Sequence, residues 1–122
     1  MKNYVPQQIE LFYIIPALRK EFSKMMVARG LKQKQVACKL GITEAAVSQY
    51  LKDKRARKAV NFDEGMMKEI AKSVDKIMDG GNPLRELQHL CSLSKQRRIT
   101  CSISERMGHA PRGCTECFRR HY

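Results

Sequence analysis

Apolar residues along this chain recur at three- and four-residue spacing, the period of helices that bury one face. Between residues 6 and 29 the stripe is Ile9, Leu11, Phe12, Ile15, Leu18, Phe22, Met25 and Met26. Pro16 falls inside it. Proline lacks an N–H and its ring crowds the preceding turn, so Pro16 predicts a kink or the opening of a second helix. Gly30 suits the end of this segment. Residues 33–40 predict a short helix with Val36, Ala37 and Leu40 inward. Gly41 ends it and Ile42 fills the turn. Thr43 then caps a helix running to about Lys52, with Ala46, Val47, Tyr50 and Leu51 as its apolar positions. Residues 63–79 repeat the pattern with Met66, Met67, Ile70, Val74, Ile77 and Met78. The break "GGN" at 80–82 leads to Asn82 and Pro83, a cap and first-turn pair for a helix carrying Leu84, Leu87, Leu90 and Leu93. After Arg98 the periodicity fades. The stripes predict an all-α fold, a helix-turn-helix bundle of about five to six helices with a short irregular cysteine-rich C-terminal tail.

Residues 33–52 satisfy the steric demands of a helix-turn-helix. Two helices crossing steeply need a small residue at the crossing, here Ala37. The turn needs a residue that tolerates positive φ, here Gly41. Ile42 fills the corner and Val47 anchors the second helix. An ordinary helical hairpin would not need all four at this spacing.

Charge makes that unit a candidate DNA reader. The 122 residues carry 24 Lys and Arg against 12 Asp and Glu, a formal +12. Such an excess points to a polyanionic partner, nucleic acid or an anionic membrane face. In a helix-turn-helix the second helix enters the major groove by its N-terminal end. Its outward positions are Thr43, Glu44, Ala45, Ser48, Gln49 and Lys52. Gln49 can bond an adenine edge, Glu44 can accept from cytosine N4, and Ala45 can touch a thymine methyl. Gln33 and Lys34 open the first helix and are placed to meet phosphate. Lys52, Lys54, Arg55, Arg57 and Lys58 form a basic exit with the same expected role, adding affinity and salt dependence without sequence information. One recognition helix reads few base pairs, so a homodimer on double-stranded DNA is expected. The helices at 63–79 and 83–98 are its candidate interface; the alternative is that both stripes complete the monomer core, which the Met-rich 63–79 stripe suits equally well.

No apolar run approaches the roughly 18 residues that span a bilayer. The start, "MKNYVPQQIELFYIIP", has Glu10 inside its apolar part and no small-residue cleavage site, so it does not read as a signal peptide. A cytoplasmic protein without a membrane partner is expected. Disulfides are then disfavoured, and five cysteines suggest metal or redox chemistry. Cys38 stands apart and reads as a small, partly buried side chain. Cys91, Cys101, Cys114 and Cys117 remain, the last two as a CxxC pair that can grip one metal centre. Four thiolates suit structural Zn2+ or an iron–sulfur cluster. Zinc sites commonly use two close pairs. Here Ser94 stands where a second pair would close, which tilts the reading toward a cluster, with Zn2+ the alternative. Arg97, Arg98, Arg106, Arg112, Arg119 and Arg120 would stabilise thiolates. His89, His109 and His121 are possible substitute ligands, although each reads first as a surface histidine. Residues 99–122 hold too little apolar mass to fold alone, which a metal staple would remedy.

From "IIPALRK" through "VACKLGITEAAVSQYLKDKRARK" to "GCTECF" the chain resembles a family of archaeal transcriptional regulators. Its members join a lambda-repressor-like helix-turn-helix to a short cysteine-bearing tail. The family's tail often begins with a second CxxC, which would fall at Cys91 and Ser94. This chain has lost that cysteine and keeps four candidate ligands, enough for one [4Fe–4S] cluster. A similar domain precedes some archaeal thiamine-phosphate synthase domains, from which no activity is carried over. The resemblance implies DNA-binding transcription regulation, with the cluster as sensor.

The expected organisation is a DNA-binding domain at 1–60, a helical dimerisation region at 61–98 and a metal- or cluster-binding tail at 99–122. The expected function is a sequence-specific DNA-binding regulator whose cluster senses redox state, oxygen or iron. The competing readings are a regulator with a purely structural zinc site and an RNA-binding or assembly protein. No enzyme is expected. The sequence has no paired-carboxylate motif, no nucleotide loop and no histidine beside a nucleophile in a recognisable pattern, and no small-molecule substrate is implied.

Overall fold

In a computed structural model of the chain, residues 4–52, 60–111 and 113 are described. Their regular secondary structure is entirely helical. The elements are α1 (Pro6–Ile9), a π-helical turn (Glu10–Ile14), α2 (Ile15–Ala28), α3 (Gln33–Leu40), α4 (Glu44–Leu51), α5 (Glu64–Met78), α6 (Pro83–Gln96) and α7 (Ile99–Arg106). The first three run on as one rod, because Ile9, Glu10, Ile14 and Ile15 all keep right-handed helical angles. The described chain is therefore a bundle of six helical rods containing a helix-turn-helix.

Pro16 neither breaks the first rod nor starts a separate helix. Its ring would crowd the carbonyl of Phe12 in a regular α-helix. The turn just before it widens instead, and the Ile15 N–H reaches back five residues to the Glu10 carbonyl. The extra residue in that turn resets the buried face. Ile9, Tyr13, Ile14, Leu18, Phe22 and Met26 are inside, while Leu11, expected in the stripe, is 58% exposed.

A single apolar cluster holds the fold. Phe22, Leu18 and Met26 of α2 meet Val36 and Leu40 of α3, Val47 of α4, and Met66, Ile70, Val74 and Ile77 of α5. Leu87 and Leu90 of α6 and Ile103 of α7 complete it. Burying each large aliphatic or aromatic side chain contributes about 1.5–3 kcal/mol. The α5 stripe thus completes the core of its own chain. The cluster takes side chains from both sides of residue 60.

Side-chain caps set several helix starts. The Thr43 hydroxyl accepts from the Ala46 N–H at 3.0 Å. Asp63 Oδ1 accepts from the Met66 N–H at 2.8 Å, and Asn82 Oδ1 accepts from the Leu84 N–H at 2.9 Å. Leu84, expected on the apolar face of α6, lies 65% exposed. Between α5 and α6 the Ser73 hydroxyl donates to the buried Glu86 carboxylate at 2.8 Å.

Residues 99–106 depart from the irregular tail expected after Arg98. They form α7, which packs on α6 and α1. Thr100, Cys101 and Ile103 are buried there. Three of its eight residues are buried and Ile99 packs partly against the core, too few to produce a legible stripe, yet neighbours already in place cover them.

Candidate nucleic-acid interface and cysteine segment

The turn between α3 and α4 is built from backbone. Gly41 sits at φ 68°, ψ 32°, the left-handed region. There the Ile42 N–H donates to the Ala37 carbonyl at 3.1 Å and the Gly41 N–H to that of Cys38 at 3.4 Å. This pairing closes the carbonyl end of α3 and swings the chain into α4. Ala37 is buried at the crossing, and Val47 and Tyr50 pin α4 onto α2 and α3.

With its inner face pinned, α4 presents the opposite face outward. Thr43, Glu44, Ala45, Gln49 and Lys52 are exposed and Ser48 is half-buried. Gln33 and Lys34 are exposed at the start of α3. All eight residues assigned to base or phosphate contact within residues 33–52 therefore lie at or near the surface of one two-helix unit. Lys54, Arg55, Arg57 and Lys58 lie outside the described residues.

The helix starts differ in a way that bears on phosphate. No side chain caps the first turn of α3. Gln35 Oε1 accepts from the Lys32 backbone N–H at 2.8 Å, but Lys32 has no acceptor to return to the turn. The start of α4 is capped by Thr43 and carries Glu44, a carboxylate that the helix dipole favours there. The α3 start is therefore the better anion seat of the two. Arg29, at the end of α2, is committed elsewhere, in an ion pair with Asp75 of α5. That bridge is largely solvent-exposed and contributes little to stability.

The cysteines divide differently. Cys38, expected to be partly buried, is exposed on α3. Cys91 lies in the apolar cluster on α6, 8% exposed. Burial pushes its thiol up from 9.0 to about 12. Glu10 on the π-turn adds to the rise and Arg19 opposes it. Cys101 is buried on α7, the helix that packs against α6. Cys114 and Cys117 lie outside the described residues, as do Arg112, Arg119, Arg120 and His121. Among the described residues no three His, Cys, Asp or Glu side chains form a group that could hold a metal ion. The described part thus carries two of the four expected thiols on neighbouring helices. Once deprotonated, thiolates at such positions would suit zinc or an iron–sulfur cluster. The surroundings of Cys91 are also those of an ordinary core cysteine. His89 is exposed on α6, and His109 stacks on Tyr4 with ring centroids 4.2 Å apart.

Two features were not legible in the residue pattern. Ser94 and Thr100, on either side of the α6–α7 junction, carry fully buried hydroxyls without a hydrogen-bond partner. Arg98, between them, has a left-handed backbone. No periodicity marks either one.

Fold and site together define an all-α bundle that presents a helix-turn-helix on a strongly cationic chain. No described helix is long and apolar enough to cross a membrane. Compared with known families, curated proteins and solved structures, the chain matches none.

Proposed function

We propose that this protein is a sequence-specific, double-stranded-DNA-binding transcriptional regulator of the lambda-repressor-like kind, acting in the cytoplasm as a homodimer. The observation that carries the reading is the α3–α4 unit. A left-handed Gly41 turn and a capped α4 leave Thr43, Glu44, Ala45 and Gln49 outward at the helix's N-terminal end. The formal +12 supports a nucleic-acid partner. In this reading Gln49, Glu44 and Ala45 face base edges. Gln33, Lys34 and Lys52 position the backbone, with Lys54, Arg55 and Arg57 continuing the cationic track. Because the α5 stripe is occupied by its own core, the dimer contact uses other surfaces.

The test is selection of duplexes from a random library, followed by binding curves for the selected site. A two-fold symmetric consensus is expected. Gln49→Ala should relax preference at one position per half-site, a loss of about 1–3 kcal/mol in discrimination. Equal affinity for duplex DNA and RNA, or unchanged sequence preference in Gln49→Ala, would refute the assignment.

The same proposal makes Cys91, Cys101, Cys114 and Cys117 the ligands of a [4Fe–4S] cluster reporting redox state, oxygen or iron, with structural Zn2+ as the competing occupant. Its support is the CxxC spacing of Cys114 and Cys117 and the placement of Cys91 and Cys101 on packed helices. Anaerobic purification with iron, sulfide and zinc analysis separates the two. A colourless protein with stoichiometric zinc would end the sensing version.

A further inference from the structure

The α6–α7 junction combines a left-handed non-glycine residue with unpaired buried hydroxyls on either side. Arg98 holds φ 62°, ψ 20°, and is the one non-glycine residue with positive φ among the described residues. That region crowds the Cβ of an L-residue against the backbone. Ser94, at 0% exposure, and Thr100, at 2%, each bury a hydroxyl without a hydrogen-bond partner. The Thr100 hydroxyl, on α7 itself, would regain water if the helix undocked.

Burial of Ile103 in the core cluster holds α7 docked against these features, together with a polar clamp. Glu105 Oε1 on α7 lies 3.5 Å from the Arg98 guanidinium and accepts from the Gly113 N–H at 3.1 Å. The same carboxylate thus ties the junction residue to the chain beyond α7. His109 stacks on Tyr4 with an interplanar angle of 15°, a second tie between that chain and the start of the first rod. Cys101 lies one helical turn before Glu105. It is buried while α7 is docked.

We propose that α7 is a hinged latch, pivoting at Arg98, that controls access to the Cys101 thiol. Docked, it closes the thiol against α6 and α1. Undocked, it presents Cys101 together with the chain segment that Glu105 holds. This rests on the reading of Cys101 as a metal ligand only for its purpose; the motion itself follows from the junction. Strain at a non-glycine left-handed residue and unpaired buried hydroxyls are features of elements that open locally, below the free energy of global unfolding.

The test is thiol alkylation of the full-length, reduced, metal-free protein, quantified peptide by peptide, alongside backbone amide exchange. Exposed Cys38 serves as the fast reference. Cys101 should label more slowly than Cys38, yet faster than the α2 amides exchange through global opening. Thr100→Val keeps the shape and removes an unpaired hydroxyl, so it should slow Cys101 labelling about five-fold or more. Glu105→Ala removes the clamp and should speed labelling by a similar factor, with Cys38 unchanged. Cys101 rates that are equal in wild type, Thr100→Val and Glu105→Ala would overturn the latch. So would Cys101 labelling that follows the α2 amides in every variant. In a parallel arm, zinc uptake by the same proteins is timed against a colorimetric chelator. Uptake slowed in Thr100→Val supports the latch. Absence of uptake in all of them removes the metal reading and leaves the labelling result to decide the latch.

Discussion

Replacing Gly41 by alanine isolates the turn on which the helix-turn-helix depends. The added methyl meets nothing within 4 Å, so space is not the issue. The backbone is: φ 68° places an alanine Cβ in the left-handed region, at about 1–2 kcal/mol. Alanine also restricts the unfolded chain relative to glycine, which returns about 0.4–1 kcal/mol. The net loss should be roughly 1 kcal/mol, or about 3–5 °C in melting temperature for a chain of this size. Gly41→Asn should lose less, because asparagine enters the left-handed region more readily. Gly81→Ala is the contrasting case. Its Cβ would stand 2.7 Å from the Lys76 carbonyl oxygen, a collision with backbone, and it should lose more than Gly41→Ala. Urea denaturation followed by far-ultraviolet circular dichroism measures all three. If Gly41→Ala matched or exceeded Gly81→Ala, the claim that only φ constrains this turn would be refuted. The same holds if Gly41→Asn proved worse than Gly41→Ala.

Other consequences are independent of that turn. Ser73→Ala removes the donor to the buried Glu86 carboxylate and should cost about 1–3 kcal/mol in urea denaturation; Ser73→Ala combined with Glu86→Leu should recover part of it. Cys91 holds its proton up to about pH 12 in the fold, whereas the unfolded thiol releases it near 9.0. The folded state therefore binds the extra proton between those values, and stability should fall as pH rises through that window. Cys91→Ala, although less stable overall, should show a shallower loss from pH 9 to pH 10.5; an identical slope would contradict the buried thiol. Lys34→Ala should weaken binding equally on cognate and random duplexes and reduce the slope of log affinity against log salt by about 1, as titrations at several salt concentrations would show.

Much of the local architecture is legible in the residues. Ala37, Gly41, Ile42 and Val47 announce the helix-turn-helix, and Thr43, Asn82 and Pro83 mark helix starts. Each of these signals acts within a turn or two of chain, through a capping oxygen, a fixed φ or a missing Cβ. The outward set on α4 follows at once, because an inner face defined by Ala46, Val47 and Tyr50 turns the opposite face outward. What folding against distant partners decided is different in kind. The π-turn before Pro16 moved Leu11 out of the stripe and brought Tyr13 and Ile14 in. The α5 stripe, which suits a partner or a core equally well, found its core in α2, α3 and α6. Cys91 entered the apolar cluster, and α7 formed where periodicity had faded. A helix with so few inward residues is weakly encoded by its own sequence. It becomes stable when α1 and α6 supply the surface that those residues need, and that surface exists only once the rest of the chain has folded.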